Sequence, residues 1–470
     1  MRSYTVEQIL AAEEVALAAQ GQLPLMVRAA TAVAVTAAGM LRRPLPGRRV
    51  VLLVGSGNNG GDALFAGANL ARRGVRVTAL LTDPSRAHPA GLRALLAAGG
   101  RLLADHSQAA TLIGNADLIV DGLVGIGATP PLREPGAHLV QLANAAVSRR
   151  IAVDIPSGVH PDGGPADGPA FAADVTVTFG GAKTGLLLTD AAGRVDVRPL
   201  DFPLAGGPHD ALVLDDDEAA RLIPQPGVSS DKFSGGVLGI AAGSAKYPGA
   251  GVLCTGAAVR VRPGMVRFAG PSKDAVLARW PEVVATEQVS DAGRVQAWVV
   301  GPGLGTDAAG LAVLDQLLRE AVPLLVDADG LTLLSQHPDL LAARHRRHSV
   351  TVLTPHAGEF GRLFPELDVT DRLSSVRAAA KSSGATVLLK GHRTVIADPT
   401  GAAAINTTGS PWLATAGSGD VLSGVIGSFL AAGLDALHAA ALGAYLHGRA
   451  GERAEAAGHA GAQALWECLR

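Results

Sequence analysis

At 470 residues the chain is too long for one ordinary hydrophobic core and suits two domains of roughly 200 to 250 residues each. Its composition, 48% apolar and 17% charged with a net charge of -2, excludes a disordered chain, and the lack of a basic excess speaks against nucleic acid as a partner. Aromatics supply only 3% while glycine reaches 59 residues, which points to an Ala, Val and Leu core of helices packed on sheets with many tight turns, an α/β protein.

Cys254 and Cys468 are the only cysteines. They are too few for a disulfide framework or a thiolate metal site and fit a reducing cytoplasm. The opening "MRSYTVEQILAAEEVA" carries Glu7, Glu13 and Glu14 where a signal peptide needs an apolar core, and the long apolar runs elsewhere are broken by charge or polarity. Neither export nor a membrane span is expected.

Two Ala-rich segments, about 5–20 and 24–41, predict helices, with Pro24 suited to a first turn. The runs "RVVLLV", "VRVTALL", "ADLIVDGL", "RIAVDIP" and "ADVTVTF" then predict strands that alternate with helices, the pattern of parallel βαβ units. Around Gly206 to Leu212 this rhythm stops among Pro, Gly and acidic residues, so the seam is placed there, with domains at 1–207 and 208–470. "GVLGIAAG", "QAWVVGPG", "VPLLVDADG", "SVTVLTPH", "ATVLLKG" and "RTVIADP" resume the alternation, and a helical finish starts near Gly417.

The first glycine loop, "VGSGNNGGDALFAG", fits a dinucleotide fingerprint at Gly55, Gly57 and Gly60, yet Asp62 sits where a pyrophosphate would go. A carboxylate there repels phosphate at short range. Asn58, Asn59 and Asp62 suit a polar group or a metal ion better; the other reading is that Asp62 caps the helix and the asparagines fill left-handed turn positions. Two further strand ends carry acids, "VDGLVGIG" with Asp121 and "VDIPSG" with Asp154 and Ser157, and such carboxyl ends are where open α/β sheets bind ligands.

This constellation resembles the epimerase domain of the NAD(P)HX repair enzymes, whose motifs N-N-G-G-D, D-x-x-x-G-x-G and D-I-P-S-G occur here in order, with Lys183 in "GGAKTGLLL" extending the match over about residues 5–205. The resemblance implies a Rossmann-like doubly wound sheet and a potassium site using Asn59, Asp121 and Ser157. It also implies a pocket for the damaged nucleotide formed by Asn58, Asn59, Gly60, Gly61 and Asp62, by Gly125, Ile126, Gly127, Ala128, Thr129, Pro130 and Pro131, and by Asp154. Epimerising a hydroxyl beside a ring nitrogen needs assisted loss and return of that oxygen, work assigned to Asp154. One departure is "LMVRAA", which puts Val27 where the family often has Glu.

In the second half, "TAGSGDVLSG" places glycine amides at a helix start, with Asp420 just inside it. Either this is a capped Gly-rich turn, or the amides hold a phosphoryl group while Asp420 takes the proton of an attacking hydroxyl. "TPHAGE" and "LLKGHRT" follow strands. His356 by itself reads more readily as a structural histidine, and Lys390, one of six lysines in the chain, either meets a nucleotide phosphate or is solvated.

These features resemble ribokinase-like proteins, and more closely the ADP/ATP-dependent NAD(P)HX dehydratases, through Gly301–Gly305, Asp327–Asp329, Thr354–Glu359, Lys390–Thr394 and Ala416–Gly424. The resemblance implies that Lys390, Gly391, His392, Arg393, Thr394, Gly417, Ser418 and Gly419 bind ADP, and that Ala250, Gly303, His356 and Asp420 meet the substrate. Asp420 would be the base, with Mg2+ clamping phosphate through Glu359 and water. Departures are "DKFSGG" at Asp231, where the family has H-K-G, and "GSPWLA", with Ser410, Trp412 and Leu413 in a G-N-P-x-M-A motif.

The expectation is therefore a cytoplasmic enzyme with two activities. It epimerises NADHX and NADPHX and dehydrates the S form at the expense of ADP, giving AMP and phosphate. Its partners are those small molecules, with a homo-oligomer left open and neither nucleic acid nor membrane. The competing readings are a ribokinase-like small-molecule kinase with an accessory first half, and a first half that only senses nucleotide.

Overall fold

The runs of β-branched and aliphatic residues form strands buried on both faces, as parallel sheets require, and the Ala-rich segments between them form the covering helices. In this computed structural model, all residues are described except 166, 226, 228–232, 234, 262, 263, 460 and 470. The chain divides into one unit at Arg2–Ala211 and a second at Leu212–Arg470 that also takes Met1.

The first unit holds a 7-stranded sheet, parallel throughout, in the order Arg101–Leu103, Arg76–Leu81, Arg49–Val54, Leu118–Gly122, Arg149–Val153, Val175–Phe179 and Arg194–Arg198. The chain starts this sheet at Arg49–Val54, winds outward to Arg101–Leu103, and returns to place Leu118–Gly122 on the other side. That reversal opens a crevice at the carboxyl ends of Arg49–Val54 and Leu118–Gly122. A short parallel pairing of Arg2–Tyr4 with Ala182–Lys183 brings the start of the helix Val6–Gln20 beside Lys183. The helix Gln22–Met40 is long and apolar enough to cross a membrane by length and composition, and it buries Ala30, Val33 and Ala37 in the core of this unit.

In the second unit the parallel order is Val284–Thr286, Met265–Ala269, Val237–Ala241, Ala297–Val300, Leu324–Val326, Thr351–Leu353 and Thr386–Leu389, after which Thr394–Ala397 and Ala403–Asn406 add antiparallel. The helix Ser418–Ala431 is buried along almost its whole length, because its small and apolar residues meet the sheet on one side and the helix Pro248–Val261 on the other. Gly424 permits the closest approach: a Cβ there would stand 2.1 Å from Cys254 O.

The α/β class expected from composition is what the structure shows. Strands at 101–103, 194–198, 265–269, 284–286 and 403–406 were not anticipated. They are short or carry polar and charged residues at alternate positions, so their apolar signal is weak.

Candidate active sites

In the first unit, three strand ends deliver the acidic residues. After Arg49–Val54 the chain turns at Gly57, with φ of 113°, into the helix Asn58–Ala71. Gly55 cannot be replaced there, since a Cβ would lie 1.8 Å from Leu123 O. Asn58 and Asp62 stand four residues apart on one helix face. The capping reading fails on both counts: the cap residue is Gly57, without a side-chain bond, rather than Asp62, and both asparagines are helical rather than left-handed.

Asp121 is buried at the end of its strand. Its Oδ1 accepts from Ser157 Oγ at 2.7 Å and Leu123 N at 3.2 Å, and its Oδ2 from Ser157 N at 2.7 Å. Burial pushes this carboxyl up to about 6, opposed by those hydrogen bonds. Asn59 Nδ2 donates to Val124 O and Val153 O, both at 2.8 Å, so two main-chain oxygens converge on one point. Asp121, Ser157 and Asn59 thus join the loops after three strands.

Asp154 adopts φ of 66°, a left-handed conformation that a non-glycine residue holds only where the surroundings enforce it. Its Oδ1 accepts from Thr178 Oγ1 at 3.1 Å, Phe179 N at 3.2 Å and Lys183 Nζ, which leaves Oδ2 to the cavity. Lys183 is 1% exposed and also donates to Thr178 Oγ1 and Phe179 O, both at 2.9 Å. Asp154, Asn58, Asn59, Asp62, Gly125, Ile126, Gly127 and Ala128 line a cavity of about 470 Å³ together with Glu13, Phe179, Lys183 and Phe202.

Other residues expected in this pocket do not line it. Gly60 and Gly61 serve packing, against Gly55 O and His88, and Thr129, Pro130 and Pro131 lie outside the lining. Val27 is 46% exposed on the helix Gln22–Met40 and is no part of the lining. Glu13 and Phe202 were missed because they come from segments with no motif and reach the cavity only through the tertiary fold.

In the second unit four of the five expected motifs follow the carboxyl end of a parallel strand, and the fifth, Ala416–Gly424, opens the helix Ser418–Ala431. Asp327, 1% exposed, accepts from Lys390 Nζ at 2.7 Å on Oδ1 and from Ser423 Oγ at 2.8 Å on Oδ2. Asp420, in the first turn of Ser418–Ala431, is half-buried beside this pair. Burial and the neighbouring Asp327 push its carboxyl up to about 7, against the pull of Lys390 and with a further push from Asp329. Gly303 (φ 61°) packs so closely on Ala250 that a Cβ would stand 2.7 Å from the Ala250 Cβ, which brings those two expected substrate residues together.

His356 caps the helix Ala357–Leu363: its Nδ1 accepts from Gly358 N at 3.0 Å and Glu359 N at 3.3 Å, while Glu359 Oε2 accepts from His356 N at 2.9 Å. The structural reading of this histidine is thus realised, and its ring remains largely exposed.

Lys390, Gly391, His392, Thr394, Ser418 and Gly419 line a cavity of about 370 Å³, while Arg393 and Gly417 do not. Arg393 instead donates to Thr407 O at 3.2 Å, and Gly417 faces Leu253 and Ala462. Asp420, His356, Gly303 and Ala250 also lie outside this lining. Asn406, Thr408 and His447 line it as well. Asn406 ends an unanticipated strand; a polar His447 inside an otherwise small and apolar helical run was the one available signal for the other side. Ser410 and Leu413 line the cavity whereas Trp412 is 54% exposed. Asp231 lies outside the described residues.

Fold and clefts define an α/β enzyme with a small-molecule site at the carboxyl ends of a parallel sheet in each unit. Residues 238–466 match a family model described as NAD(P)H-hydrate dehydratase, and residues 22–185 match one described as YjeF-related protein N-terminus. The bifunctional NAD(P)H-hydrate repair enzyme of Mycobacterium tuberculosis is 49% identical over 441 residues, covering 93% of this chain and 91% of that protein. Its counterpart in Mycobacterium leprae is 48% identical over 450 residues, covering 95% and 93%. The chain belongs to the family of bifunctional NAD(P)H-hydrate repair enzymes. Among solved structures, the ADP/ATP-dependent NAD(P)H-hydrate dehydratase of Bacillus subtilis, co-crystallised with ATP and Mg2+, is 26% identical with a TM-score of 0.47, covering 54% of this chain and 95% of that one.

Proposed function

We propose that the protein restores hydrated nicotinamide nucleotides: the first unit interconverts the R and S forms of NADHX and NADPHX, and the second dehydrates the S form while splitting ADP to AMP and phosphate. The observation that carries this reading is that each unit sets an acid, Asp154 or Asp420, at the carboxyl ends of its sheet beside a helix that begins among glycines.

In the second unit Asp420 takes the proton of the hydrate hydroxyl as its oxygen attacks the terminal phosphorus of ADP, and AMP leaves. The amides of Ser418 and Gly419 at the helix start bear the phosphoryl charge. The ring nitrogen then expels phosphate, a proton leaves the neighbouring carbon, and the double bond returns. Lys390, held against Asp327, is a cation beside this path: a Cβ on Gly419 would stand 3.4 Å from its Nζ. Magnesium supplies neutralisation of phosphate charge. It would keep most of its water and take few protein ligands, with Glu359 as an outer partner, because Asp327 is committed to Lys390 and Ser423.

In the first unit potassium would be held by Asn59, Asp121 and Ser157. Oxygen donors around one buried carboxylate suit a hard monovalent cation, and Val124 O and Val153 O hold the Asn59 amide by its Nδ2, which leaves Asn59 Oδ1 for the ion. A cytoplasmic location agrees with the two free thiols, Cys254 and Cys468.

The test is to incubate purified protein with mixed hydrate epimers, with and without ADP, following the absorbance of the reduced nicotinamide ring. Full recovery of both epimers that depends on ADP is expected. Accumulation of a stable phosphorylated product would instead identify a small-molecule kinase.

A further inference from the structure

One acid in the first cavity has no assigned work. Asp62 is 6% exposed, lines the cavity opposite no cation of its own, and its buried Oδ1 has no hydrogen-bond partner. An unpaired buried carboxylate is costly, and such a group resolves the cost by keeping its proton. Burial, with Asp154 and Glu13 as like charges nearby, holds this carboxyl well above the usual range. Asp154 differs in kind, because Lys183, Thr178 and Phe179 N all donate to it. Two carboxyl groups on one cavity, one without a hydrogen-bond partner and one held by a buried lysine, are placed to act as an acid and base pair.

Resting on the epimerase reading above, we propose that Asp62 is the general acid of the first site and works across the substrate ring from Asp154. Asp62 gives its proton to the hydroxyl as the carbon–oxygen bond breaks and water leaves with the bonding pair. The lone pair of the ring nitrogen forms a carbon–nitrogen double bond, giving a planar cation. Water then adds to the opposite face, its proton passes to Asp154, and the double-bond pair returns to nitrogen. Proton exchange through water restores Asp62 and Asp154 to their starting states. The reverse epimerisation runs through the same steps with the roles exchanged. Glu13 is a positioning residue: behind burial and Asp154, its charge adds to the push that favours the protonated form of Asp62, while Lys183 pairs with Asp154.

The full chain carries its own control, because ADP-dependent consumption of the S epimer takes place in the other unit. Asp62→Asn is nearly isosteric with a protonated acid, so the fold holds, but it has no proton to give. The expected result, by epimer-resolved chromatography, is loss of R-to-S conversion by about 100-fold or more with S-epimer dehydration unchanged. Wild-type turnover in isotopically heavy water should place heavy oxygen in the product epimer.

Independently of that variant, the wild-type epimerisation rate should fall at alkaline pH as Asp62 loses its proton, and Glu13→Gln should move this limb to lower pH. An Asp62→Asn protein that epimerises within a few-fold of wild type overturns the inference alone, as does an alkaline limb that Glu13→Gln leaves in place, or a product without heavy oxygen. A wild-type protein that does not epimerise above the buffer rate overturns the epimerase reading and the inference together.

Discussion

Lys390 Nζ lies 2.7 Å from Asp327 Oδ1, and the other oxygen of that carboxylate is taken by Ser423. This buried pair stands directly behind Gly419, where a Cβ would be 3.4 Å from Lys390 Nζ and 3.7 Å from Asp327 Oδ2. Any phosphate seated on the helix start therefore meets a lysine whose position is fixed before it arrives, which reduces the ordering cost of binding.

The same pair sets the working range of Asp420. As a base Asp420 acts only when deprotonated, and its carboxyl is pushed up to about 7, so dehydration should rise with pH through about 7 and level off above it. Asp327→Asn removes the nearest like charge and should lower that midpoint; Lys390→Met removes the cation and should raise it. Profiles of kcat/KM for ADP-dependent dehydration from about pH 5.5 to about 9 measure both shifts, and midpoints unmoved by either change would remove Asp420 from the role of base.

The ion pair of Asp154 and Lys183 is buried, and breaking such a pair from one side costs about 3–5 kcal/mol. Asp154→Asn should therefore both abolish epimerisation and lower the melting temperature of the first unit. Asp154→Asn combined with Lys183→Met should recover most of the stability and none of the activity. Calorimetry with epimer-resolved chromatography separates the two effects, and activity recovered along with stability would show that Asp154 acts only through folding.

Much of this architecture was legible along the chain because parallel strands buried on both faces are continuous apolar runs, and Asp121, Asp154 and Asp327 each end or follow one of them. Those three could be marked for that reason, and Asp420 because it stands in a glycine-rich helix start. What the one-dimensional pattern could not supply was commitment. Asp121 and Asp154 are of one residue type at comparable strand ends, yet Asp121 spends both oxygens on Ser157 and Leu123 whereas Asp154 keeps one for the cavity. Glu13 reaches the first site from a helix without a motif, and Asn406 reaches the second from a strand too short to announce itself.

Potassium should stabilise the first unit and support its activity if Asn59, Asp121 and Ser157 hold it. At a hundred-fold excess over its Kd, a ligand bound only by the folded state adds about 2.7 kcal/mol. Exchanging K+ for tetramethylammonium at constant ionic strength should lower the melting temperature of this unit and slow epimerisation, with dehydration of the S epimer unaffected. Asn59→Ala should remove the response to K+, and equal melting curves in the two salts would dismiss the site.

His447 lines the cavity of the second unit, with Nε2 3.1 Å from Ser418 Oγ and 3.0 Å from Ser418 O. Burial pushes its imidazole down to about 4, the Ser418 carbonyl partly opposing and Lys390 adding to the shift. The ring is therefore neutral at working pH and pins the first residue of the helix Ser418–Ala431. Between the ordinary histidine value of about 6.5 and the folded value of about 4, the unfolded chain binds a proton that the folded chain refuses. Stability of the second unit should thus decline as pH falls through that window and be unaffected by this group above it. His447→Gln keeps an N–H for Ser418 but does not titrate, so its urea midpoint should vary less than that of wild type between about pH 4.5 and about 6.5. His447→Leu loses the donor as well, and freeing the helix start should raise the KM for ADP by roughly 10-fold, the equivalent of one hydrogen bond, with kcat changed less. A wild-type urea midpoint as flat as that of His447→Gln across this window would show that the imidazole is not held neutral, and an unchanged KM in His447→Leu would show that Ser418 needs no support from it.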